Sequence, residues 1–447
     1  MVSAVEQLAK NANWGALAKA TELKQRLLFV IGALLVYRLG TYIPIPGIDP
    51  HVWNEIFTQK GGGILDMFNM FSGGALQRMT IFALNIMPYI SASIIIQLAS
   101  SMSVKMAALK KDGESGRQKI NQYTRYLTVL LATVQAYGLA VGLESMQGGA
   151  GSAVIDPGFF FRASTVVTVV GGTVFLMWLG EQITARGVGN GISLIIFAGI
   201  VAELPRAIVS MLELGRQGSI SPVVMLLVIA IVGAVIAFIV FMERAQRRII
   251  VQYPKRQVGN KQFAGDQNHI PLKMNTAGVI PPIFASSLLL LPMTIVGFSG
   301  SQGNGFTSTL AQYLQHGTPV YMALYGALIA FFAFFYTAIV FNPNENADML
   351  RKYGGFIPGI RPGAATAEYF DYVLTRITSV GAVYLVFICI LPELLIKHYN
   401  LPFYLGGTSL LIVVSVTMDT VSQIHSHLIA HQYEGLMKKA KLGGRRR

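Results

Sequence analysis

Isoleucines stand beside both places where proline interrupts a long apolar run. Ile86 and Ile90 flank Pro88, and Ile280 and Ile283 flank Pro281 and Pro282. Ile192, Ile195 and Ile196 follow the glycine-rich turn RGVGNG at 186–191. Such side chains do no covalent chemistry. Set in a ring, they form a constriction that dewets when empty and holds back ions and water without charge. A ring of this kind grips no particular substrate, so a chain of varied composition slides through it. Isoleucine is equally a residue of lipid-facing helices, and periodicity does not separate the two settings.

Other candidate chemistry is thin. His425, His427 and His431 lie on one apolar-to-basic stretch without a cysteine or acidic cluster, and zinc sites need three or four ligands. GVGNG and GESG lack the lysine and the strand–helix setting of a phosphate loop. Cys389, inside an apolar run, is the only cysteine, which excludes disulfides and thiolate metal sites. Arg38, Arg125, Glu181, Glu203, Glu393 and Asp419 all fall near the ends or bends of apolar runs. Ion-coupled transporters generally carry buried ionisable groups at depth. The expectation is a chain with no active site, cofactor or metal. A secondary transporter of a small solute remains the alternative, because broken helices bind ions through backbone carbonyls. A scaffold that only anchors complexes is a third reading.

The elements that must position these residues are membrane helices. The chain has 447 residues, of which 53% are apolar and only 13% charged. Soluble domains carry about 25% charged residues. No cleavable signal peptide is visible, since residues 1–25 are polar and amphipathic. Ten apolar runs reach span length, near 24–43, 79–101, 122–143, 160–180, 190–211, 222–242, 274–298, 319–341, 373–393 and 403–424. They divide as five plus five, and the second span of each half carries the proline break. Matched breaks point to an internal repeat with the functional site at its interface. An odd number of spans per half makes the halves inverted. The expected fold is all-α, with 1–23 as a cytoplasmic N-terminal segment, 24–212 and 213–424 as the two halves, and 425–447 as a basic cytoplasmic tail.

Residues 61–74 do not fit a span. A short apolar piece, Ile64 to Phe71, lies between glycines. Eight helical residues reach about 12 Å, against a bilayer core of about 30 Å. Such a piece must be buried in protein or line a water-filled cavity. It reads as something sitting in a pore.

The net charge of +14 is mostly topology. With both termini cytoplasmic, 28 of the 35 Lys and Arg fall on the inner side. Two inner loops, 243–273 and 342–372, are long and basic. The first alternates around 247–253 and again near 256–264, which predicts a projecting hairpin. Loops of this length are usually functional, and these predict a docking face for a large partner.

Long, ordered strings then carry a resemblance: LLFVIGALLVYRLGTYIPIPGID (27–49), MFNMFSGGAL (67–76), IMPYISASIIIQL (86–98), GESGRQKINQYTRY (113–126), FLMWLGEQIT (175–184), GNGISLIIFAGIV (189–201), ERAQRRI (243–249), FFYTAIVFNP (334–343), GIRPG (359–363) and PFYLGGTSLLIVV (402–414). Over about 22–440 the chain closely resembles the bacterial SecY family, the central subunit of the protein-conducting channel. The resemblance implies a passive gated channel in the inner membrane, with two five-helix halves around an hourglass pore. It implies a pore ring of Ile86, Ile90, Ile192, Ile196, Ile283 and Ile412. It implies a plug of Ile64, Leu65, Asp66, Met67, Phe68, Asn69, Met70, Phe71 and Ser72 with Gly73 and Gly74. A lateral gate would lie between spans two and three and spans seven and eight, beside a polar cluster of Gln97, Asn190 and Asn275. Hydrophobic segments would leave into the lipid bilayer there. Arg361 matches the family's arginine for motor and ribosome engagement, and Arg247, Arg248, Lys255, Arg256 and Lys261 are the accompanying docking charges. The implied partners are SecE, SecG, the SecA motor ATPase, the ribosome, secretory preproteins and nascent membrane proteins. Three positions depart from the pattern. Asn85 stands where a glycine is usual, Pro282 where a small residue is usual, and Asn260 at a loop tip where arginines are common.

Overall fold

The structure, a computed structural model, describes residues 21–60, 69, 72–145, 147–148, 151–218, 221–253, 256–258, 261–263, 267–298, 318–399 and 407–443. Among these, a helix occupies each of the ten expected spans. The first half holds α1 (Thr21–Gly40), α3 (Met87–Met102), α5 (Glu114–Ser145), α6 (Phe159–Arg186) and α7 (Gly191–Arg216). The second holds α8 (Pro222–Arg244), α9 (Ile280–Phe298), α10 (Pro319–Val340), α12 (Ala364–Tyr399) and α13 (Gly407–Gly443). Shorter helices α2 (Pro50–Lys60), α4 (Val104–Lys111) and α11 (Pro343–Lys352) connect them. Among the described residues seven helices are long and apolar enough to cross a membrane. The halves meet where α9 packs on α3 and α5, and where α13 packs on α7 and α1.

The second helix of each half corrects the expected spans. Neither is kinked in mid-helix by its prolines. Pro88 stands in the first turn of α3, and Pro281 and Pro282 stand in the first turn of α9. A first-turn proline gives up a donor that has no helical partner anyway, whereas an interior one breaks the ladder. Pro282 therefore adds no separate kink. The α3 helix spans only 16 residues, or about 24 Å. Residues 72–86 cover the remaining depth as consecutive turns. They are largely buried, and their backbone is paired: the Ile81 N–H donates to the Ile43 carbonyl at 3.0 Å and the Ile45 N–H to the Met79 carbonyl at 2.9 Å. The Trp53 indole N–H caps the Leu76 carbonyl at 3.0 Å. Irregular backbone at membrane depth survives only with such pairing.

Two other boundaries move. The division expected after 212 falls inside α7, which runs on through Glu213 to Arg216. The segment 425–447 begins within α13, which continues unbroken to Gly443. Both misses have one cause: hydropathy ends a span where charge begins, but the helix continues into water.

The loop 243–273 is the expected hairpin. After the short pair β1 (Gln147–Gly148) and β2 (Gly151–Ser152), strands β3 (Gln246–Gln252) and β6 (Gln267–Lys273) pair antiparallel, from Gln246↔Lys273 to Gln252↔Gln267. Further out, β4 (Arg256–Val258) pairs with β5 (Lys261–Phe263). Ile249 and Val251 turn inward while Arg248 and Ile250 face out, the period of a half-buried strand. The second long loop docks on the first. Gln252 and Phe356 exchange N–H to carbonyl bonds of 2.9 Å each way. Ile249, Val251 and Leu272 share a core with Leu350, Ile357, Phe370 and Leu374. The two loops thus form one module seated on α12.

Candidate pore and gate

Three helix beginnings converge between the halves. Ile86 and Ile90 come from the start of α3, Ile196 from the second turn of α7, and Ile283 from the first turn of α9. Together with Asn85, Met87 and Ser286 they line one small pocket. Asn190 caps α7, its Oδ1 accepting from the N–H groups of Ile192 at 3.1 Å and Ser193 at 3.4 Å. That cap sets where α7 begins, and so sets the level of Ile196. Among the described residues no charged side chain lines the pocket.

Four of the six expected ring residues therefore meet. Ile192 instead lies against Gly180 of α6. Ile412 of α13 is buried in the same core but does not line the pocket. Ile195 and Ile280 pack in that core as well.

Asn85 has φ +48°, in the left-handed region. Glycine enters that region freely, and asparagine is among the few other residues that tolerate it. The departure from the usual glycine is thus accommodated by the backbone. Asn85→Gly should leave stability unchanged, whereas Asn85→Val should cost about 1–2 kcal/mol from the left-handed backbone alone. Unfolding midpoints of the purified variants in detergent check this.

Of the expected plug, Asn69, Ser72, Gly73 and Gly74 are described; Ile64, Leu65, Asp66, Met67, Phe68, Met70 and Phe71 lie outside the described residues. The described end is anchored. The Tyr37 hydroxyl donates to the Ser72 carbonyl at 3.2 Å, and Arg38 Nη1 to the Gly73 carbonyl at 2.6 Å. Gly73 has φ +64° and sits so close to Gly199 that a Cβ there would meet its Cα at 3.0 Å. Arg78 stacks over Tyr42 at 4.2 Å and reaches Glu203 at 3.9 Å. Sequence reading singled out Arg38 and Glu203 as span-end charges but missed this use; only the fold brings them to residues 72–78.

The expected polar cluster is not one hydrogen-bonded set. Gln97 Nε2 donates to Ser93 Oγ at 3.2 Å, on its own helix. Asn190 spends its side chain on the α7 cap. Asn275 Nδ2 donates to Glu243 Oε1 at 2.6 Å and to the Gly278 carbonyl at 3.1 Å. Nothing in the order of residues marks Glu243 as the partner of Asn275. At the seam itself, Ser287 Oγ of α9 approaches Met87 Sδ of α3 at 3.9 Å.

Among the docking charges, Arg247 and Arg248 on β3 and Arg361 before α12 are exposed. The Arg361 carbonyl accepts from Thr366 Oγ1 at 2.9 Å. Arg256 and Lys261 stand on β4 and β5, while Lys255 and Asn260 lie outside the described residues. Among the described residues no group of His, Cys, Asp and Glu could hold a metal.

A polytopic helical membrane protein of two halves, with an uncharged constriction at their seam, has the architecture of a channel. The chain belongs to the SecY family, whose model matches residues 80–421. It is 58% identical over 423 residues to the protein translocase subunit SecY of Rickettsia typhi, covering 95% of this chain and 98% of that one. It is also 58% identical over 424 residues to the subunit of that name from Escherichia coli K12, covering 95% and 96%. A solved protein conducting channel superposes with a TM-score of 0.62 at 18% identity, covering 90% of this chain and 92% of that one. Sec61 from a canine ribosome–channel complex superposes with a TM-score of 0.59 at 18% identity, again covering 90% and 92%.

Proposed function

We propose that this chain is a gated, passive protein-conducting channel of a bacterial membrane. Unfolded secretory polypeptides pass between its halves, and hydrophobic segments leave sideways into lipid. The observation that carries this is the pocket where Ile86, Ile90, Ile196 and Ile283 meet without a charge. An uncharged constriction stops ions by dewetting and is indifferent to the side chains of a passing chain. A small-solute transporter needs fixed polar ligands, and among the described residues only Asn85 and Ser286 bring polar side chains to that lining. Family membership at 58% identity supports the reading.

Residues 61–74 act as the plug, and one solved relative is described by a plug domain that stabilises the closed state and maintains a membrane seal. Both termini lie in the cytoplasm, as the distribution of Lys and Arg favours. The hairpin module then faces the cytoplasm and receives the SecA motor or the ribosome. Relatives of this fold have been solved on ribosomes from canine and yeast sources. SecE and SecG accompany the chain in the membrane. The energy for movement comes from the partner, and the channel contributes path, seal and gate.

Crosslinking to a chain in transit tests this. Cys389→Ser removes the native thiol, and one cysteine replaces Ile86. A stalled secretory protein carries its own single cysteine. A disulfide that needs motor, ATP and signal sequence is the expected result. Active export with no disulfide at Ile86, Ile196 or Ile283 would put the path elsewhere.

A further inference from the structure

Asn275 stands at a mechanical junction. Behind it, β6 ends the docking hairpin; ahead of it, α9 begins after Gly278. The neighbouring Met274 is fixed on both sides. Its N–H donates to the Ala245 carbonyl at 2.9 Å, and its own carbonyl lies 2.8 Å from where a Cβ would stand on Gly381 of α12. Asn275 is 4% exposed, and its amide bridges Glu243 at the end of α8 and the Gly278 turn before α9. The Glu243 carboxylate also faces Lys273 of β6 and Ser415 and Asp419 of α13. One carboxylate therefore gathers the end of α8, the end of the hairpin and an inner stretch of α13 around the residue from which α9 springs.

We propose that Glu243 is the positioning residue of the gate: through Asn275 it fixes where α9 starts and so holds α9 against α3. The proposal rests on reading the α3–α9 seam as the lateral gate. The 2.6 Å bond is partly buried, and to an ionised carboxylate it is charge-assisted, the strong kind of hydrogen bond. Breaking it lets the Gly278 turn relax, and Ile283 and Ser287 on the first turns of α9 move with it. A force on the hairpin reaches the same bond, since Lys273 and Asn275 are two residues apart.

Membrane vesicles containing the full chain with its partner subunits test this. Two preproteins are compared, one intact and one with a charged residue in the apolar core of its signal sequence. Glu243→Ala should raise export of the defective preprotein at least about tenfold, the change expected for one lost charge-assisted hydrogen bond. Glu243→Gln keeps an oxygen for the Asn275 amide and should stay within about threefold of the parent, as a neutral bond retains about half the strength. Asn275→Asp sets two carboxylates face to face and should behave like Glu243→Ala. With Cys389→Ser, cysteines replacing Met87 and Ser287 and joined by a short thiol crosslinker should link less in Glu243→Ala. A merely structural loss lowers export of both preproteins and leaves the defective one unfavoured, which overturns the proposal. So does Gln behaving as Ala, or crosslinking unchanged in Ala. Failure of the channel reading looks different: the parent chain would export no intact preprotein.

Discussion

Replacing Ile86 and Ile283 together by glycine opens a resting ion leak. Both side chains face the pocket at the seam, one from each half. Their loss widens the narrowest apolar point and removes the β-branched surface that keeps it dry. Water entry then brings ions, because nothing in the lining is charged enough to select among them. A fall of about 1.4 kcal/mol in the barrier raises leak about tenfold, and two isoleucines give up more apolar surface than that requires at about 25 cal/mol per Å2. Conductance of planar bilayers holding the purified complex reads it directly. Large-to-small changes in a core also cost about 2–5 kcal/mol of stability. The paired control is therefore Ile86→Val with Ile283→Val, which keeps the β-branch and should stay sealed at similar protein levels. A double-glycine channel that folds and remains tight would remove the constriction from this pocket.

The number of spans, the two halves and the hairpin were legible because each follows from local pattern. Apolar runs of span length need no tertiary information, and neither does the alternation of Arg, Ile and Val at 247–253. The proline breaks were legible as positions but not as helix starts. Hydropathy over 79–101 is continuous, and only the pairing of 72–86 with residues 43 and 45 shows that its outer part is turned chain. That Ile86, Ile90, Ile196 and Ile283 share one pocket was legible from their places beside the breaks and the glycine-rich turn. Ile192 and Ile412 matched equally well, but the contact of Ile192 with Gly180 depends on how α6 and α7 cross. The hydrogen-bond partners of the polar residues were hidden for a similar reason. Gln97, Asn190 and Asn275 each have a nearer partner than one another, and nothing in the order of residues names Glu243, 32 positions away, as the one for Asn275. The same holds for the merger of the two long loops through Gln252 and Phe356.

Reversing the charge at Arg361 should cut motor-driven export at least about tenfold while leaving the sealed channel intact. The expectation follows from what the side chain does not do. Its guanidinium is exposed and makes no hydrogen bond or ion pair to the described residues. The residue's structural role is carried by its backbone, which accepts the Thr366 hydroxyl one turn into α12. Arg361→Glu therefore leaves the fold unstrained and changes only what a partner meets. A guanidinium contact to a carboxylate or phosphate is worth about 1.5–3 kcal/mol, and the reversal adds repulsion where attraction stood. Arg247 and Arg248 are exposed on β3 of the same module, so Arg247→Glu should slow export by a smaller factor, as rim charges tune encounter more than residence. The two effects should differ in salt dependence, the Arg247 deficit being largest at low ionic strength, where screening is weakest, and fading as salt is added. Rates of preprotein entry into vesicles, with bilayer conductance as the control for the seal, separate docking from gating. Normal export by Arg361→Glu would move the docking site off this module altogether.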